Sequence, residues 1–193
     1  MAKETTRTRI LEVGSNIIHQ KGFNNTGIQE ILDKAGVPKG SFYFYFKSKE
    51  DFGLALIDQF EAMVCGHLAS VLDDTSLEPL VRLKSFFSSF RNYFENQNCS
   101  RGCPIGNLSQ ELSDVNENIR QRLEKSFHNM GSLIEKCLYA ARIKGELSDD
   151  LPVPETADYI INSWEGALMR MKVSKSIEPL LVFEHVLFDT ILK

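Results

Sequence analysis

Two groups of residues carry chemistry by their type and spacing. The first is the set of thiols, Cys65, Cys99, Cys103 and Cys137. Cys103 stands at the expected start of a helix, before Pro104 and two residues after Arg101. A helix N-terminus and a nearby guanidinium both favour thiolate, the form that attacks electrophiles and oxidants. Cys103 is therefore a candidate sensor thiol; the plainer alternative is a small side chain that packs its helix. Cys65 and Cys137 fall inside long helices and read as core. The uneven spacing of the four is no disulfide framework, so in a reducing compartment they stay free. Zinc held by Cys99 and Cys103 would need two further ligands, and neither a second cysteine pair nor a nearby histidine supplies them. His19, His67, His128 and His185 are scattered singly along helices, as packing or surface residues are. No metal and no cofactor is expected.

The second group is Phe42-Tyr43-Phe44-Tyr45-Phe46, bracketed by Lys39, Lys47 and Lys49. At about 100° per residue, Phe42 and Phe46 share one side of a helix while Gly40 and Phe44 point nearly opposite. The first pair suits a core, which leaves Phe44 outside with Tyr43 and Tyr45. Outward aromatics make a poor water-facing surface and a good groove surface: a ring can touch a thymine methyl, and a phenol can reach a phosphate oxygen. Gly40 lets the backbone come close, and the start of the helix can receive a phosphate. The alternative is a core helix buried on every side, but lysines seldom bracket such a helix.

Positioning these residues requires helices, and nearly every segment reads as one. No stretch alternates with period two, so the expected class is all-α, with about nine helices. The first helix spans 6–21 with Ile10, Leu11, Val13, Ile17 and Ile18 as its stripe, and Gly22 ends it. Thr26 is expected to cap a second helix carrying Ile28, Ile31, Leu32 and Ala35; Gly36 stops it, and Val37-Pro38 turns the chain into a short third helix over 39–46. Two short helices across such a turn have the form of a helix-turn-helix. Ser48 is expected to cap a long fourth helix, 49–72, followed by helices near 78–96, 104–112, 116–144, 155–173 and 177–192. The domains expected are a head, 1–50, and a body, 51–193.

Charge sorts the same way. The chain carries −4 in all, yet residues 1–49 carry +4 and leave −8 for the remainder. A basic head on an acidic body can meet a polyanion in one orientation only. With 42% hydrophobic residues and thirteen Phe, the chain can bury a sizeable core. No uninterrupted apolar run reaches the roughly 18 residues of a membrane span, and the first residues lack the apolar stretch of a secretion signal. The expected location is the cytoplasm, away from membranes.

The segments Thr26-Gly27-Ile28-Gln29-Glu30-Ile31 and Ala35 through Phe52 resemble the head of the tetracycline-repressor (TetR) family, nearly unbroken from about residue 6 to residue 56. The resemblance implies a homodimeric regulator that binds double-stranded DNA until a small molecule enters its body. It also implies DNA contacts at Thr26, Lys39, Gly40, Ser41, Tyr43, Phe44, Tyr45 and Lys49. Pro38 departs from a usual small hydroxyl residue and Tyr45 from a common histidine, changes that bear on which bases or phosphates are touched. Cys99 through Leu108 is similar to the start of the sixth helix in a subgroup that includes regulators of electrophile and oxidant defence, in some of which a cysteine near this position is the sensor.

Apolar residues at helical spacing in the last two helices are expected to form the dimer seam: Trp164, Ala167, Leu168 and Met171, then Phe183, Leu187 and Phe188. The effector is expected to be apolar or electrophilic; its identity, the operator and the choice between repression and activation stay open. A cysteine-dependent helical enzyme is a rival, but no phosphate-cradling loop, His-Glu-x-x-His pair or nucleophile elbow is present. A helical interaction module without DNA binding leaves the basic, aromatic third helix unexplained.

Overall fold

Apolar side chains that recur at three- and four-residue intervals are buried together only on a helical backbone. The computed structural model describes residues 2–193 and their side chains from Thr6 onward; Lys3 and Glu4, counted in the charge of the head, have side chains outside the described residues. Among the described residues the chain is all-α: α1 (Ala2–Lys21), α2 (Ile28–Ala35), α3 (Lys39–Tyr45), α4 (Lys49–Leu72), α5 (Pro79–Asn96), α6 (Pro104–Leu112), α7 (Glu117–Ile143), α8 (Val153–Ser174) and α9 (Glu178–Val186), ending in a π-helical turn, Leu187–Ile191. The chain forms two compact units, one of residues 1–61 with 104–124 and one of residues 62–103 with 125–193. Both units therefore draw on segments distant in sequence.

The first unit holds α1 to α3, the start of α4, α6 and the start of α7. Phe42, Phe46 and Phe52 are 0–1% exposed, with ring centroids 5.2–5.6 Å apart. Around them lie Ile10, Ile17, Ile31, Leu32 and Leu56, all buried. Gly36 ends α2 in the left-handed region at φ 64°, and the Val37 N–H returns to the Leu32 carbonyl at 3.1 Å, closing the turn. Ser48 caps α4 as expected: its Oγ accepts the Asp51 N–H at 3.1 Å, and the Asp51 carboxylate accepts the Lys47 N–H at 2.8 Å. Thr26 does not cap α2. That place falls to Gly27, while the Thr26 hydroxyl donates back to the Gly22 carbonyl at 2.7 Å.

Gly14 marks the tightest approach in this core, because a Cβ there would sit 2.4 Å from Cζ of Phe52. Phe52 is fully buried and has nowhere to swing. We expect Gly14→Val to destabilise the unit by about 2–3 kcal/mol, read as a lower urea midpoint; an unchanged midpoint would show that Phe52 is free to move.

α4 alone has the length and hydropathy of a membrane span. Its Asp58 and Glu61, however, pair with Arg122 of α7 at 2.7 and 2.6 Å, and Phe52, Leu56, Ile57 and Phe60 are buried.

In the second unit, Phe87 of α5 meets Trp164 of α8 and Phe183 of α9, each at 5.0 Å between centroids, and Trp164 and Phe183 stand 5.2 Å apart. Glu184 accepts from the Arg91 guanidinium at 2.8 Å and fastens α9 to α5. This packing corrects the expected seam. Trp164, Leu168, Met171, Phe183 and Leu187 lie inside the protomer's own core, and only Ala167 and Phe188 keep part of their surface. An amphipathic helix buries its apolar stripe against its own chain first, so a face left for a partner must be turned away from that stripe. α8 starts earlier than expected, at Val153, because Pro152 and Pro154 suit a first turn that needs no N–H partners. α9 ends earlier than expected because its last turn widens, the Leu192 N–H reaching the Leu187 carbonyl at 2.9 Å.

Candidate nucleic-acid interface and thiol site

Seven residues of helix divide α3 cleanly. Phe42 is fully buried, whereas Tyr43 is 53% and Phe44 64% exposed. Lys39, Gly40 and Lys47 are exposed; Ser41 and Tyr45 are half-buried. The Phe44 and Tyr45 rings meet edge to face at 4.9 Å, which stiffens the outward pair. Nothing lies within 4 Å of a Cβ placed on Gly40, so this face is open right up to the backbone. The structure thus brings Lys39, Gly40, Ser41, Tyr43, Phe44 and Tyr45 together on one short element.

Thr26 and Lys49 sit differently. Thr26 is 1% exposed and its hydroxyl is turned inward. The Lys49 ammonium lies 4.7 Å from the Phe23 ring centre and donates to the Asn24 carbonyl at 3.4 Å. Partial burial holds it below the usual lysine range, and the Glu111 carboxylate offsets that only in part.

Sequence reasoning missed Glu111. From α6 its two carboxylate oxygens accept the N–H groups of Phe23 and Asn24 at 2.8 and 2.5 Å. Gly22, at φ 87°, makes room for it: a Cβ there would stand 3.1 Å from the carboxylate. One side chain of α6 thus fastens the turn that joins α1 to α2. No local pattern announces this, because its partners lie 87 and 88 residues away.

In the second unit Cys103 ends a contorted loop. Asn98, Cys99, Arg101 and Gly102 all have φ between 51° and 74°, a region costing a side-chain-bearing residue about 1–2 kcal/mol. Cys103 is partly exposed, packs against the apolar core of this unit, and is hydrogen-bonded to the Glu165 carboxyl of α8. Withdrawal from water pushes that carboxyl up to about 7, with the thiol contact pulling the other way. The sequence held a hint of Glu165: an acid between Ile161 and Leu168 on one helical face. The remaining thiols differ. Cys137 is buried, donates to the Pro79 carbonyl at 3.2 Å and is pushed up to about 11, so it is inert. Cys99 is buried, while Cys65, expected in the core, is only partly so.

The outer face of α8 and α9 is grooved. Tyr159, Ser163, Gly166, Arg170, Val182 and Val186 line a depression of about 550 Å³.

Known proteins match along the whole chain. The family described as "Bacterial regulatory proteins, tetR family" matches residues 10–56, and "Tetracyclin repressor-like, C-terminal domain" matches residues 79–187. The HTH-type transcriptional repressor DhaR of Mycobacterium sp. (strain GP1) is 34% identical over 192 residues, covering 100% of this chain and 95% of its own. A regulatory protein TetR from Rhodobacter sphaeroides has a crystal structure that superposes with a TM-score of 0.87 at 34% identity, over 93% of this chain and 95% of that one. The reduced form of NemR from E. coli superposes with a TM-score of 0.88 at 30% identity, over 97% and 98%.

Proposed function

This chain belongs to the tetracycline-repressor family and is a helix-turn-helix transcriptional regulator; on that premise we propose that it represses from a palindromic operator as a homodimer, released by a small molecule or by modification of Cys103. One observation carries the reading: the open face of α3, where exposed Tyr43 and Phe44 lie between exposed Lys39 and Lys47. The lysines and Tyr43 serve phosphates, which sets affinity for any DNA; Phe44 serves base edges, which sets sequence choice. Lys49 carries a smaller share, because the Asn24 carbonyl already holds its ammonium. Such a protein acts in the cytoplasm, where its DNA lies.

Gel shifts on the DNA upstream of its own gene, taken across a salt series, test this. Lys39→Gln and Lys47→Gln should each lower the salt slope by about one unit, and Lys49→Gln by less. Equal slopes for all proteins would remove α3 from the interface.

The α8–α9 groove supplies the face for a second copy, set beside the stripe that the protomer buries for itself. Gly166 has nothing within 4 Å of an added Cβ, so Gly166→Arg should leave the fold intact and push a long cation into the seam. Light scattering should then report a monomer, with operator affinity lost because paired half-sites need paired heads. A dimer of unchanged affinity would move the interface elsewhere.

Release starts one residue from α6, since Cys103 precedes Pro104 and α6 carries Glu111 to the Gly22–Asn24 turn. A coupling of about 1–3 kcal/mol is enough to switch occupancy. Treatment with N-ethylmaleimide or peroxide should abolish operator binding by the parent and spare Cys103→Ser. Equal responses would return the switch to a non-covalent effector.

A further inference from the structure

The hydrogen-bonded partner of Cys103 has no part in DNA binding or dimerisation, yet it is a titratable group withdrawn from water beside the one thiol with a case for reactivity. We propose that Cys103 and Glu165 form an acid–base dyad through which the thiol adds to an activated, uncharged alkene. This rests on the reading of Cys103 as a point of release.

The geometry assigns the roles. Cys103 is reachable, being partly exposed at the start of α6, whereas Cys137 is sealed and donates its proton to a fixed carbonyl. A carbonyl can accept a hydrogen bond from a thiol but cannot take its proton; a carboxylate can. Burial leaves the Glu165 carboxyl titrating near neutrality, where a group is poised both to take a proton and to return it. The apolar packing around Cys103 disfavours a charged reagent at the reacting atoms.

The step balances without any further reactant. The Cys103 Sγ–H bond breaks and its proton passes to a Glu165 carboxylate oxygen as Sγ bonds to the β-carbon of an α,β-unsaturated carbonyl. The alkene π pair moves to the α-carbon and carbonyl as an enolate. Glu165 then gives the proton to the α-carbon and is a carboxylate again. Nothing is oxidised or reduced. Run backward, the same transfers expel the reagent, so the dyad supplies a route to reset the regulator.

The test uses the full-length protein and N-ethylmaleimide, whose ring alkene accepts a thiol and one proton in this way. Alkylation at Cys103 is followed by peptide mass mapping against time for the parent and for Glu165→Gln and Glu165→Asp, with Cys65 in the same samples as an internal reference. Glu165→Gln keeps the shape and removes the base. It should slow Cys103 roughly a hundredfold and leave Cys65 unchanged, and Glu165→Asp should restore part of the rate. The parent should react more slowly in deuterated water, because a proton is in flight with the new bond; the Gln variant should lose that effect. If Cys103 alkylates no faster than Cys65 in the parent, the thiol is not the point of release and the underlying reading fails. If Cys103 is fast but Glu165→Gln matches the parent in rate and isotope effect, the thiol stands and the dyad is wrong.

Discussion

Phe42→Ala should unfold the DNA-contacting unit at temperatures where Phe44→Ala leaves it intact, although the two residues are two positions apart on α3. Phe42 is fully buried against Phe46 and Phe52. Truncating such a ring removes its transfer energy and leaves a cavity, a loss of about 3–5 kcal/mol, against a total stability of about 5–15 kcal/mol for a typical domain. Amides of α1 to α3 should then exchange with solvent far faster, and operator binding should vanish with the fold. Phe44 is 64% exposed and packs only on Tyr45 at 4.9 Å. Its alanine variant should keep the parent's melting temperature and exchange pattern while losing about 1–3 kcal/mol of binding, concentrated at one base pair. Binding to every operator variant as the parent binds would show that Phe44 faces solvent without touching DNA. A melting temperature lowered to that of Phe42→Ala would show that the ring supports the core.

Glu165→Gln should stabilise the second unit at pH 8 by about 3 kcal/mol and do nothing at pH 4. The carboxyl titrates near 4.5 when unfolded and is pushed up to about 7 when folded. Between those values the folded state holds a proton that the unfolded chain releases. Raising the pH through this window therefore destabilises the fold, by about 1.4 kcal/mol for each unit of difference. Glutamine has the same shape and no proton to lose, so the slope disappears with it. Trp164 is the sole tryptophan and is buried in this unit, so its fluorescence during urea unfolding reports the relevant transition. Parallel stability curves for the two proteins from pH 4 to 8 would mean that water reaches the carboxyl and leaves it ordinary. This result bears on the thiol as well, because a fully hydrated carboxylate is too weak a base to draw a proton from Cys103.

Local order decided what could be read before folding. The stripe of Ile10, Leu11, Ile17 and Ile18, the left-handed Gly36, the Ser48 cap and the two-sided third helix all depend on residues within about one or two helical turns of each other, and each stands in the structure as its spacing implied. The all-α class and the family follow from the same short-range features. Tertiary packing decided the rest, because it pairs residues that no local period relates. Periodicity marks Trp164, Leu168 and Met171 as buried without saying against what; Phe87 and Phe183 of the same chain claim that side, and the α8–α9 groove remains for a partner. Thr26 was read as a cap from its type, but its hydroxyl found the Gly22 carbonyl. Glu111 and Glu165 looked like ordinary surface acids on their helices. Only the folded chain brings one to the Phe23 and Asn24 amides and the other to the Cys103 thiol. A carboxylate's role depends on which donor lies within about 3 Å of it, and across 62 or more residues of sequence that distance is set by the packing of helices.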